Sequence, residues 1–236
     1  MARVPDDLER LRRALAAGER DLRGLQLGGL DGLDLDLSHC QLQGSGFKEA
    51  RFGHARLHQA EVQGSCFQRA LLWGADLSGL KAEQSFWQEA DLSGSRLQGA
   101  RFDQALMHRA CLQGVVAAGS SWRQARLVEA DFRSGLDQLT DLGEADFRDA
   151  DLSFASFQGA NLQAANLQQA CLYGTNLRGC DLRRANLRGC DLREAQLDGA
   201  QLEGADLEGA MVVACPQDGP GLDGVDHEKN QPVQDG

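Results

Sequence analysis

Aromatic side chains are scarce in this chain, at 6% of 236 residues, which argues against a globular core of the usual kind. No stretch approaches the roughly 18 consecutive apolar residues of a membrane span. The N-terminus, Met-Ala-Arg-Val-Pro-Asp-Asp, lacks the apolar segment of a secretory signal, so a cytoplasmic protein is expected. The seven cysteines contain no Cys-x-x-Cys pair and no zinc spacing, and in a cytoplasmic chain they read as reduced filler. The histidines form no Ser/His/Asp or Cys/His arrangement, and no glycine-rich segment matches a phosphate loop. Neither an enzyme, nor a cofactor, nor a metal site is expected.

What the chain does have is a period of five. From Leu22 to Val212 every fifth residue is a large apolar side chain in 35 of 39 cases, the exceptions being Gly32, Ala82, Ala117 and Asp137. Two residues earlier, from Leu25 to Ala210, the chain places Ala, Ser, Thr, Cys or Gly in 33 of 38 cases. Five fits neither the helical period of about 3.6 nor the strand period of about 2, so one repeated unit dictates the fold.

The clearest units are Ala-Asn-Leu-Gln-Ala at 160–164, Ala-Asn-Leu-Gln-Gln at 165–169, Ala-Cys-Leu-Tyr-Gly at 170–174 and Ala-Asp-Leu-Glu-Gly at 205–209. They resemble the pentapeptide repeat family, whose consensus is Ala-(Asp/Asn)-Leu-x-x. The resemblance implies an all-β fold, a right-handed quadrilateral parallel β-helix in which four units close one square coil. Residues 21–215 would then give about ten coils. Stacked coils bury Leu on Leu and pair backbone groups at ~4.8 Å. The slot before the large residue is small because both share a narrow interior. Cys40, Cys180 and Cys190 fit it as compact hydrophobes. Residues 20 apart should lie on one face, so Gly79, Gly99, Gly119, Gly159, Gly179 and Gly199 should form a ladder along one edge. His39 and His58 should face outward in adjacent coils, where two surface histidines are the plain reading and a metal pair the remote one.

A rod has two open ends. Residues 5–17, within a capping segment 1–20, read as an amphipathic helix with Leu8, Leu11 and Leu15 on one face, covering the first coil. At the other end Met211, Val212 and Val213 run into a tail, 216–236, that reads as disordered and acidic. That apolar end invites a homodimer through the C-terminal coils, and several members of the resembled family dimerise in this way. Two segments strain the repeat. Residues 113–121 lose the large side chain at Ala117, and at 134–141 Asp137 stands where Leu belongs. A charge in that slot costs several kcal/mol. The second segment should therefore bulge or loop out, with Leu136 or Leu139 restoring the lost contact.

The formal charge is −11, and the repeats carry 26 acidic against 18 basic side chains. Some members of the family resemble B-DNA in shape and charge, bind DNA gyrase or topoisomerase IV, and protect them from inhibitors. On a count by twenties Asp31, Asp91, Asp131, Asp151 and Asp191 form the most acidic face. Much of this acidity is the Asp of the repeat consensus, and Arg178, Arg183, Arg184, Arg188 and Arg193 form a basic belt. Outward slots also hold Leu71, Trp73, Phe86, Leu106, Val116 and Val128, a candidate patch for an unidentified protein partner. Asp137 and Leu139 mark a candidate projecting loop. The expected function is a non-catalytic protein-binding rod, a scaffold or regulator that touches neither nucleic acid nor membrane. A DNA-mimicking binder of type II topoisomerase is the alternative.

Overall fold

The computed structural model describes residues 4–135 and 137–212. The tail at 216–236, Val213 and Leu136 lie outside the described residues. Helix α1, Val4–Ala16, comes first. It lays Leu11, 5% exposed, and the half-buried Leu8 and Leu15 against the start of the core. Gly18 ends it with φ of 84°, its N–H bonded to the Leu15 carbonyl and that of Glu19 to the Ala14 carbonyl, the paired closure of a Schellman motif.

Beyond α1 the same five-residue side repeats. At Asp36–Cys40 the Leu37 N–H donates to the Arg56 carbonyl at 2.7 Å and the His39 N–H to the His58 carbonyl at 2.9 Å. The Cys40 N–H then closes a turn onto the Leu37 carbonyl at 3.1 Å. The residue in the place of His39 is left-handed in every side from Gly24 to Glu129 and from Glu144 to Gly209. A type II turn requires that conformation at its third residue, which explains why glycine recurs there.

Each side contributes one parallel bridge to the coil above and one to the coil below, giving four columns. Face one runs from Asp21 to Asp206 and face two from Gln26 to Met211. Face three runs from Asp31 to Gln196 and face four from Asp36 to Gln201. Inside, the central residues stack at zero exposure along most of the rod. Aromatic rings are paired coil on coil, with Phe67 on Trp87 at 4.1 Å and Phe102 on Trp122 at 4.5 Å.

Three of the four exceptions to the period have packing reasons. A Cβ at Gly32 would stand 2.6 Å from the Phe52 ring, so Phe52 takes the space of the missing side chain. Ala82 and Ala117 are each followed five residues later by a tryptophan. The Trp87 indole N–H donates to Ser85 Oγ, which donates to the Ala82 carbonyl; Trp122, Ser120 and Ala117 repeat the arrangement. The small central residue makes room for the bulky one on the next side. The segment 113–121 is therefore regular, contrary to the expected strain, and Val116 keeps its bridge to Arg96.

Asp137 is different. Before it, bridged residues are 20 apart; across it they are 25 apart, as in Val116 with Asp141 and Asp131 with Ser156. The side that would have buried Asp137 has left the coil, and both Asp137 and Leu139 are exposed. Leu139, at 55% exposure, does not restore the lost contact as expected. Two hydroxyls tie the base of the loop. Thr140 Oγ1 accepts from the Gly114 N–H and donates to the Arg133 carbonyl, while Ser134 Oγ accepts from the Thr140 N–H and donates to the Gly159 carbonyl.

Candidate interaction faces

The looped-out side changes which residues share a face. Counting by twenties overestimates the coil position by one side after Thr140, because the loop uses five residues and no side. Asp31, Asp91 and Asp131 stand on face three, but Asp151 and Asp191 stand on face two. The single acidic face does not exist as expected. The glycine ladder divides for the same reason, with Gly79, Gly99 and Gly119 on one edge and Gly159, Gly179 and Gly199 on the next.

The consensus Asp also has a structural task. In side after side its carboxylate accepts the N–H two residues on, as Asp36 does from Ser38, Asp91 from Ser93 and Asp151 from Ser153. Asn161, Asn166, Asn176 and Asn186 do the same without a charge. This is the Asx turn, so charge at these positions is incidental to the fold. Where Arg follows two residues later, the carboxylate is also paired. Arg133 binds Asp131 and Arg193 binds Asp191, both at 2.7 Å, while Arg51 stands 3.7 Å from Asp31. Burial raises the Asp131 pKa, but hydrogen bonds from Arg133 and Gln113 outweigh it and hold the carboxyl below its usual range. The Arg193 hydrogen bond is the largest influence on Asp191 and lowers it likewise.

The basic belt is neutralised in the same manner. Arg178 pairs with Asp198, Arg183 with Asp181, Arg188 with Asp206 and Glu208, and Arg193 with Asp191. Arg184 makes no ion pair with a described residue. An alternating ladder, Glu49–Arg69–Glu89 and Arg109–Glu129, lines the edge between faces two and three.

The outward apolar residues divide over three faces. Phe86, 40% exposed, bridges directly to Leu106 on face two, and Val128 follows one coil on. Leu71 and Trp73 lie on face three, where the Trp73 ring covers Gly53 so closely that a Cβ there would stand 2.6 Å from it. Val116 is on face four, opposite Phe86, and drops out of the patch. Phe154 and Tyr173, which a count by twenties puts elsewhere, fall on face two and its edge, 5.4 Å apart, with the Arg193 guanidinium over the tyrosine ring.

His39 and His58 do meet, edge to face at 5.5 Å. Among the described residues no three His, Cys, Asp or Glu side chains converge as metal ligands. No helix among them is long and apolar enough to cross a membrane. At the C-terminal end Met211 and Val212 are exposed, at 48% and 46%.

Comparison with known proteins agrees with this geometry. The family pattern described as Pentapeptide repeats matches eight copies, over residues 36–74, 74–109, 140–179 and 170–209, leaving the loop between matches. No curated protein matches. Among solved structures the chain is similar to HetL, a pentapeptide repeat protein involved in heterocyst differentiation regulation in the cyanobacterium Nostoc sp. strain PCC 7120. The two are 30% identical with a TM-score of 0.69, over 85% of this chain and 92% of that one. Trypsin-treated QnrB1, a plasmid-mediated fluoroquinolone resistance protein, is 20% identical with a TM-score of 0.51, over 79% of this chain and 91% of that one. The second likeness shows the fold alone.

Proposed function

The chain belongs to the pentapeptide repeat family, and from that premise we propose that it is a non-catalytic protein-binding rod, a scaffold or regulator on a right-handed coil. The observation that carries this reading is the distribution of outward side chains. Most consensus carboxylates cap their own turns and many guanidinium groups are paired, while the exposed Phe86 and the half-buried Leu106 stand side by side on face two. Likeness to HetL, a protein of regulation, supports the same direction.

Capture from an extract of the source cells tests it. The wild-type protein is expected to retain a stoichiometric partner that the Phe86→Asp/Leu106→Asp variant loses while its circular dichroism is unchanged. A set of captured proteins indifferent to the double change would overturn the reading. The alternative, topoisomerase binding by DNA mimicry, is favoured by the QnrB1-like fold but weakened by the pairing of Asp31, Asp131 and Asp191. It requires that micromolar protein alter DNA supercoiling by gyrase, and an unchanged supercoiling reaction would remove it.

A further inference from the structure

Face two changes character along the rod. Phe86, Leu106 and Val128 occupy three successive coils, and Phe154 and Tyr173 the next two, so an apolar side chain recurs once per coil over five coils. The stripe owes its continuity to the looped-out side, since a coil that retained 135–139 would turn Phe154 and Tyr173 onto face three. Phe154, 55% exposed, lies over Gly174, where a Cβ would stand 2.7 Å from its ring. The ring is thus held along the surface and does not swing free.

The charges beside the stripe are unbalanced. Asp149, Asp151 and Glu194, on face two and its edges, make no ion pair with a described residue, against two cations there in that condition, Arg126 and, two coils before Phe86, Lys48. We propose that face two docks a basic amphipathic helix of a partner protein, with its apolar side chains on the Phe86–Tyr173 stripe and its Lys or Arg residues beside Asp149, Asp151 and Glu194. The spacing suits that occupant. Coils recur every ~4.8 Å and a helical turn rises ~5.4 Å, so a helix laid along the rod brings one apolar side chain near each coil. Four coil intervals span ~19 Å, the length of about 13 helical residues. A strand laid along the axis repeats on one face every ~6.6 Å and falls out of step within two coils. Helix-in-groove recognition by spaced anchors is a general mode of protein binding.

This inference rests on the binding-rod reading, and the probe is chosen to separate the two. A helical peptide of about 14 residues, with Leu at helical spacing and Lys elsewhere, is titrated at physiological salt and followed by fluorescence anisotropy. The wild-type protein is expected to bind it, and Phe86→Ser and Phe154→Ser each to weaken binding by tenfold or more. Trp73→Ser, which removes an aromatic ring of similar exposure from face three, and deletion of 135–139, which preserves the alignment, should leave affinity unchanged. A peptide with Glu in place of Lys should not bind. Absence of binding to the wild type, equal binding of the Glu peptide, or equal weakening by Trp73→Ser overturns the proposal. If the captured partner is lost with Phe86→Asp/Leu106→Asp while the Lys peptide fails to bind, the partner chemistry is wrong and the rod reading stands.

Discussion

At Asp146 burial and pairing pull in opposite directions. Desolvation raises the carboxyl pKa, but hydrogen bonds from Arg148 at 2.7 Å and Arg123 at 2.6 Å prevail and bring it to about 2, below the ordinary 3.8. The folded value is the lower one, so the stabilisation is present above about pH 4 and is lost as pH falls toward 2. Solvent screening reduces the contribution to the order of 1 kcal/mol. Asp146→Asn should therefore flatten the acid limb of urea-measured stability between pH 4 and 2, and an unaltered limb would contradict the pairing. Cys180 and Cys190 make the opposite case. Burial pushes both thiols up to about 12, and each S–H donates to a core carbonyl, of Phe157 and Leu167. At pH 8 neither should react with a maleimide until denaturant is added, whereas the half-buried Cys66 should label in the native protein. Peptide mapping after labelling reads the difference. Some residue-scale features are present in the sequence but do not show in a count by columns. The Asp-x-Arg pairs at 131–133, 146–148, 181–183 and 191–193 neutralise charge within one side, but charge summed down columns hides neighbours.

At the scale of a single side, the chain tolerates an exception when a neighbour compensates it and ejects one that nothing compensates. Ala82 and Ala117 read as losses because the compensating Trp87 and Trp122 sit on the following side, a relation apparent only in the cross-section of a coil. Asp137 has no such partner, and its charge forces the side out of the coil. The break itself was legible. Its consequence was not, because a five-residue loop preserves the sequence period while using no side of the coil. Asp151 and Asp191 consequently stand a quarter turn from the face that a count by twenties gives them. Deleting residues 135–139 should leave the fold intact and shift the melting temperature by only a few degrees, since Ser134 and Thr140 then meet as adjacent members of a regular side. Thr140→Val should cost more, about 1–2 kcal/mol, because it removes the short bond of the Gly114 N–H and the hydroxyl donated to the Arg133 carbonyl, leaving the two only their mutual bond at 3.4 Å. Equal stability of Thr140→Val and wild type in a denaturant titration would refute that role.

Across the whole molecule each coil touches only its neighbours, so stability adds coil by coil and the two ends differ. α1 covers the first coil, whereas Leu197, Leu202 and Leu207 near the other end are only partly buried. Hydrogen exchange should accordingly be fastest in the last described coils and slowest around the stacked rings from Phe67 to Phe157, and uniform protection would count against this picture. The family and the solenoid were legible from the period alone, because a side that repeats 35 times in 39 leaves the backbone little choice. The surface was legible only in part, since it depends on how coils align across the loop. That alignment is the central claim, and engineered disulfides test it most directly. Ser121 and Asp146 are bridged neighbours on face one, whose column holds no native cysteine. Bridged strands stand ~4.8 Å apart, within the Cα range of a disulfide. Ser121→Cys/Asp146→Cys should cross-link quickly under mild oxidation, and Ser121→Cys/Asp141→Cys, spaced as an uninterrupted repeat would require, should not. Cross-linking of the second pair and not the first would contradict the account.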